Sequence, residues 1–546
     1  MIYPGCLLNP PTADPGYGRP SGLGELFIDL VDRLVGVERK MKSMMFKGYQ
    51  NKNLGQGVRS PQTILLAAIM VLLLSGCAAV GPDYVPVEPA AQARWHATLQ
   101  GGLSADLLNP EILAHWWTTL NDAQLSSLEE RAVKGNLDLK EAQARIREAR
   151  ALRGVSQANL FPTVNGGGTV TERRFSENSN TGERNTLYAA GFDAGWELDI
   201  FGGVRRSLEA AQADLEATQE GLHDVLVSLL AEVALNYLEV RTFQARLEVT
   251  GANIVTLQES YELNQSRYQA GIIDELAVQQ SLRILESSRS QIPALETGLE
   301  AAKNRLTVLL GEQPGKLHGE LTAKRPIPAL PAIVAVGIPA ETLRHRPDIR
   351  RAERFLAAQT ARIGVATADL YPKFRLLGTI GLESISAGDF FKYSSRAWGF
   401  GPSVSWNIFD GGAIRQNIKV QTARQEQALI QYESAVLGAL EEVENVLVAY
   451  AKEQQRRESL IKAEAAAQRA TLLAQDQYQA GLVDFNNVLD AQRSLLILQD
   501  EKARSEGSVT SNLVRLYKAL GGGWTSVQPA ADQANQVAQD KKQAAR

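Results

Sequence analysis

Sulfur is nearly missing from this 546-residue sequence: there are two cysteines, Cys6 and Cys77, and five methionines, all at or before Met70. Beyond Cys77 the chain has neither thiol nor thioether, which excludes a disulfide framework and soft-metal relay chemistry. The five histidines, His96, His115, His223, His318 and His345, are nowhere paired at metal-ligand spacing. No glycine-rich phosphate loop or nucleophile motif accompanies them, so no enzyme and no cofactor is expected. Basic excess is missing too: a net charge of -4 gives no field for nucleic acid. Long apolar runs are confined to one, Ile64 to Leu74, shorter than the roughly 20 residues a spanning helix needs.

That run has the length of a signal-peptide core. Lys42, Lys47, Lys52 and Arg59 precede it, and Leu74-Ser75-Gly76-Cys77 follows, which resembles the lipobox of bacterial lipoproteins with Cys77 as the acylated first residue. Residues 1 to 40, with Pro4, Pro11, Pro15 and Pro20, read as an upstream extension, Met41, Met44 or Met45 being more natural starts. The expected organisation is an extension and signal over 1–76, a first repeat over 77–320, a second over 321–523, and a disordered tail over 524–546.

The repeat is legible at an offset of 210 residues. Ala158-Asn159-Leu160-Phe161-Pro162 returns as Ala368-Asp369-Leu370-Tyr371-Pro372, Tyr268-Gln269-Ala270-Gly271 as Tyr478-Gln479-Ala480-Gly481, and Trp196 as Trp406. Each half reads as helix, hairpin, very long helix, sharp turn, helix. Strict alternation in Phe192, Ala194, Trp196, Leu198 and Ile200, and in Trp398, Phe400, Pro402, Val404, Trp406 and Ile408, predicts strands, within hairpins over 163–201 and 374–409. Pro402 cannot donate to a ladder and puts a local defect in its strand. No proline occurs between Gly203 and Gly271 or between Gly412 and Gly481, so helices are expected over 203–270 and 412–480, each about 100 Å long at about 1.5 Å per residue. Leu226, Leu229, Leu230, Val233, Leu235 and Leu238 recur at steps suited to lateral packing. Shorter helices are expected over 274–311 and 484–520. The bland alternative is a soluble helical array carrying two short hairpins.

Four strands cannot close a membrane barrel, because the smallest single-chain barrels have about eight and an open edge in lipid leaves backbone groups unpaired. Oligomerisation solves this. The polar loops from Phe175 to Thr186 and from Ser384 to Arg396 then lie outside the cell and the helices in the periplasm. Trp196, Trp398, Trp406, Tyr188 and Tyr371 are equally readable as interfacial anchors or as ordinary packing.

Four segments resemble the TolC-type outer-membrane factors, within them the OprM-like, NodT-type lipoprotein branch that serves resistance-nodulation-division pumps. They are Cys77-Ala78-Ala79-Val80-Gly81-Pro82-Asp83-Tyr84, Arg346-Pro347-Asp348-Ile349-Arg350-Arg351-Ala352-Glu353, Ser405-Trp406-Asn407-Ile408-Phe409-Asp410-Gly411-Gly412 and Leu489-Asp490-Ala491-Gln492-Arg493-Ser494-Leu495. The resemblance implies an α+β membrane protein: a homotrimer closing a twelve-stranded outer-membrane β-barrel that continues into a long periplasmic α-helical barrel with a mixed α/β equatorial belt. It implies an exit duct of a tripartite efflux pump, partnered by a periplasmic adaptor and an inner-membrane transporter and held in the outer membrane by acylated Cys77.

In such a tunnel the constriction lies at the helix turns, here Gly271 and Gly481. Glycine suits both, since it supplies the positive φ that ends a helix sharply. Asn487, Asp490 and Arg493, three residues apart, share a helix face just past the second turn. The family's periplasmic aperture carries an aspartate matching Asp490 and an arginine matching Arg493, and a second acidic position of some relatives is Asn487 here. Three copies of Asp490 form a carboxylate ring with cation preference, whereas the bland reading is a solvated helix end. Asp348 and Arg350 read as helix-start residues, equivalent to Asn136-Leu137-Asp138-Leu139-Lys140. The competing readings are a coiled-coil adaptor, which has one helical hairpin instead of two, and a protein-secretion duct; the lipidated start and the Arg-Pro-Asp segment favour efflux of small molecules.

Overall fold

The computed structural model describes residues 79–524 apart from 89–91, 107–108 and 179–183. The expected signal, Cys77 and the tail beyond 524 lie outside the described residues. In chain order come β1 (Leu103–Ser104), α1 (Pro110–Ala114), α2 (Ala123–Gly135), α3 (Leu137–Ala158), β2 (Thr163–Arg174), β3 (Arg184–Leu198), α4 (Gly203–Gln269), α5 (Glu275–Arg289) and α6 (Gln291–Leu309). The second half adds β4 (Val334–Ala335), α7 (Pro339–His345), α8 (Pro347–Ala368), β5 (Lys373–Ser384), β6 (Arg396–Ser405), α9 (Ala413–Gln479) and α10 (Phe485–Ala519).

β2, β3, β5 and β6 form one antiparallel sheet in that order, open at β2 and β6. The register puts Gly166, Phe192, Ile380 and Trp398 in one row, and alternation then sorts the faces. One face carries Val164, Val170, Phe192, Trp196, Leu376, Ile380, Trp398, Phe400 and Val404; the other carries Asn165, Thr169, Asp193, Glu197, Arg375, Thr379 and Ser403. The apolar side chains stand exposed, Trp398 at 80% and Phe400 at 76%, as a lipid-facing wall requires.

Both strands leave the sheet earlier than their alternation suggests. β3 stops at Leu198 and β6 at Ser405, so Ile200, Trp406 and Ile408 lie past the ladder. The reason is local: Asp199 accepts the amides of Val204 and Arg205, and Asp410 those of Gly412 and Ile414, turning the chain into the first turns of α4 and α9. Those amides hold the Asp410 carboxyl below its usual range. Pro402 sits opposite Leu376 in an unbroken pairing, because β6 is an edge strand of this chain. Trp196 and Trp406 donate their indole N–H to the carbonyls of Leu160 and Leu370, at 2.9 and 3.0 Å, so each hairpin is pinned to the helix before it.

α4 and α9 each run 67 residues without a break. The expected helix over 274–311 is instead two, α5 and α6, meeting at Ser290. Pro293 explains the interruption: it has no N–H for the carbonyl of Arg289, one turn earlier. α10 is continuous over its 35 residues.

The main core is equatorial. Trp116, Leu120, Leu125 and Leu128 meet Leu226, Leu230, Val233 and Leu238 of α4, Leu306 and Leu317, and Leu513, Leu516 and Tyr517 of α10. Beside it β1 pairs in parallel with β4, which makes this belt mixed in structure. The two halves close by the same device with different side chains. Asn136 Nδ2 donates to the carbonyl of Leu309 at 2.9 Å, and at the equivalent position Arg346 donates to that of Ala519 at 2.7 Å.

Residues 79–88 and 92–101 run as an extended strap. Val80 N–H donates to Phe201 at the foot of the hairpin, the Tyr84 hydroxyl reaches Glu353, the Val87 carbonyl accepts from Tyr432, Glu444 accepts the amides of His96 and Ala97, and Gln454 reaches Gly101. Arg206, almost wholly buried, holds the carbonyls of Val80 and Gly81 and pairs with Asp83 at 2.6 Å. A Cβ on Gly81 would lie 2.4 Å from Gly364 Cα, so glycine is required where strap meets α8. Burial, with Glu353 alongside, pushes the Tyr84 hydroxyl up to about 12.

Candidate gate at the helix tips

Both long helices end in the same turn. Gly271 and Gly481 take φ of 73° and 69°. Their N–H groups donate to Tyr268 and Tyr478, and those of Ile272 and Leu482 reach back to Arg267 and Gln477, so the last carbonyls of α4 and α9 are satisfied without a side chain. Asp274 then caps α5 through the amide of Ala277 at 3.2 Å. Asp484, its counterpart before α10, makes no such side-chain bond.

Beneath the turns the two repeats share a small core: Leu257 from α4, Ile284 and Leu285 from α5, and Phe485, Val488 and Leu489 from α10, with Tyr478 of α9 against them. Burying that face fixes the rotation of α10. Phe485, Val488, Leu489 and Gln492 turn inward, and Asn487, Asp490 and Arg493 are brought together on the exposed side. Among the described residues no ion pair joins Asp490 to Arg493 or to any other cation. Its carboxylate is therefore unspent, an open charge facing away from the chain's own core. The equivalent positions on α5 are Ala277, Gln280 and Arg283, so only the second repeat supplies a carboxylate here.

Sequence reasoning missed what lies behind this face. Asn264 is fully buried two turns before Gly271, and neither of its side-chain polar atoms finds a partner; the Tyr478 hydroxyl and Gln492 Oε1 are likewise unpaired. Gln492 donates only to Ser260 Oγ at 3.2 Å, and the Arg267 guanidinium lies over the Tyr478 ring at 4.9 Å. Unpaired buried polar atoms cost about 1–3 kcal/mol each, so this seam is the weakly held part of the tip. A polar residue inside an otherwise apolar stripe, as Asn264 is, was the available signal. Among the described residues no group of three His, Cys, Asp or Glu side chains is placed to hold a metal.

Comparison with known proteins agrees with the repeat and with its reach. The model of the family described as outer membrane efflux protein matches twice, over residues 128–312 and 338–522, the same offset that the motifs show. Nodulation protein T of Rhizobium leguminosarum bv. trifolii is 32% identical over 469 residues, covering 84% of this chain and 97% of that protein. The solvent efflux pump outer membrane protein SrpC of Pseudomonas putida is 31% identical, covering 84% and 98%. The solved outer-membrane channel OprN superposes with a TM-score of 0.78 at 37% identity, covering 82% of this chain and all of that one. With both repeats matched and near full-length relatives on either side, the chain belongs to the outer membrane efflux protein family, the exit channels through which efflux systems discharge across the outer membrane.

Proposed function

We propose that this exit duct is a homotrimer gated at its periplasmic helix tips by Asp490, fed by a resistance-nodulation-division transporter through a periplasmic adaptor, and anchored by an acylated Cys77. The trimer is supported by the two open sheet edges: three chains of four strands give twelve, and no strand is left unpaired in lipid. Uncovered apolar residues along α9, among them Ile430, Leu437 and Val448, are the surface a neighbouring copy needs. Small molecules are the cargo this reading favours.

The observation that carries the gate is the exposed, unpaired carboxylate of Asp490 beside Asn487 and Arg493, on a helix face fixed by the packing beneath it. Threefold repetition of that face makes a ring of three negative charges at the narrowest place. Asp490→Ala is expected to raise single-channel conductance in planar bilayers and to weaken cation preference. Unchanged conductance and ion preference would remove Asp490 from the gate.

The anchor is supported by the strap. Ala79, the first described residue after the lipobox, lies against Gly202 at the foot of the hairpin, the helix-side end of the sheet, where the inner leaflet begins. Mass spectrometry of the mature amino terminus is expected to find Cys77 first and acylated, with acylation lost in Cys77→Ser; an unmodified terminus elsewhere refutes the anchor.

A further inference from the structure

The apolar wall of the sheet is not uniform. One row across the strands carries three large side chains, Phe192, Ile380 and Trp398; the next row toward the loops reads Gly168, Ala190, Leu382 and Arg396. Two small residues beside three large ones leave a hollow. Over it folds the loop between β5 and β6, which brings Tyr393 to the rim, and the resulting groove encloses about 970 Å³. Its sides are apolar and its loop end is cationic. The Arg396 guanidinium carbon lies over the Tyr393 ring, 4.1 Å from its centroid, and among the described residues no carboxylate lies within ion-pairing distance of it. The neighbouring Lys392 is already paired with Asp389.

We infer that this groove is a binding site for the phosphorylated glycolipid of the outer leaflet, an acyl chain lying in the hollow and a sugar phosphate on Arg396. Three observations select that occupant. The groove opens on the lipid-facing side, on inner and edge strands of one chain, so trimer closure leaves it uncovered. Arg396 stands at the end of β6 remote from the helices, at outer headgroup level. A guanidinium seated over an aromatic ring and free of carboxylate partners keeps N–H donors available, and a guanidinium can take phosphate oxygens two at a time. Trp398, one row deeper, supplies the wall for the chain's first methylenes.

The inference rests on the outer-membrane placement of the family and is independent of the gate. It is tested by native mass spectrometry of the detergent-extracted trimer with three probes: a bis-phosphorylated, hexa-acylated glucosamine disaccharide, the same molecule without phosphates, and phosphatidylglycerol. The phosphorylated disaccharide is expected to bind once per protomer, and Arg396→Gln to weaken it about tenfold. Ala190→Leu, which fills the hollow and keeps the charge, is expected to weaken it similarly, with trimer mass and conductance unchanged in both variants. Equal binding by wild type and either variant overturns the site. Equal binding of all three probes, or of phosphatidylglycerol and the phosphorylated disaccharide, overturns the assignment of the ligand.

Discussion

Arg346→Ala is expected to lower the stability of the chain by about 3–5 kcal/mol, read as a fall in the thermal midpoint by circular dichroism. The side chain is nearly buried and serves three partners at once. It donates to the carbonyl of Ala519, pairs with Asp348 at 2.8 Å, and pairs with Glu442 of α9 at 2.8 Å. Alanine leaves the last carbonyl of α10 without its donor and two carboxylates without a cation. Desolvation works against the charge, yet these acids win, and they hold the guanidinium above its ordinary value. Arg346→Lys is expected to recover little of the loss, since a point charge on a flexible stem cannot span an end carbonyl and two acids. Asn136→Ala, at the matching place in the first repeat, removes a neutral amide and is expected to cost about 1–2 kcal/mol. Equal losses at the two positions would refute this account.

Glu129→Leu is expected to do the opposite and stabilise the chain by about 1–3 kcal/mol near neutral pH. Glu129 is completely buried on α2, within the equatorial core, and neither carboxyl oxygen has a partner. Burial alone drives its pKa well above the ordinary glutamate value. The folded chain thus holds a proton that the unfolded chain releases. Between the ordinary value and the raised one, the native state binds more protons, so stability falls as pH rises through that window. Below the ordinary value both states are protonated and this penalty vanishes. The variant should therefore gain most at the alkaline end of the window and least in acid. A gain of the same size at every pH would show that packing, and not ionisation, sets the effect.

Much of the architecture could be read from residue order because it depends on local rules. Stretches without proline specify unbroken helices whatever surrounds them, and period-two alternation specifies a two-faced strand. Pro293 carried the same kind of message, and it marks where the helix after the first tip divides. The end-closing pair was illegible for a different reason: asparagine at 136 and arginine at 346 look unrelated until their shared target, the end of the last helix of each repeat, is seen. Glu129, in Ser126-Ser127-Leu128-Glu129-Glu130-Arg131, has the look of a solvated acid; only the direction of α2 against α4 buries it. The candidate gate stands between these cases. The spacing of Asn487, Asp490 and Arg493 gave a common face, but which way that face turns depends on the packing of Phe485, Val488 and Leu489 against the other repeat.

The strap imposes an order on assembly. Glu353, Tyr432, Glu444 and Gln454, on which it docks from Tyr84 onward, are 269 to 353 positions later in the chain than the strap residues they hold. Among the described residues the first repeat alone offers the strap only Phe201 and Arg206 as distant hydrogen-bond partners, which hold its front end, and none from Tyr84 onward. The strap's contacts from Tyr84 onward are thus among the last to form, although they belong to the earliest segment of the folded body, and they fasten the second repeat to a strand whose front end the first repeat already holds.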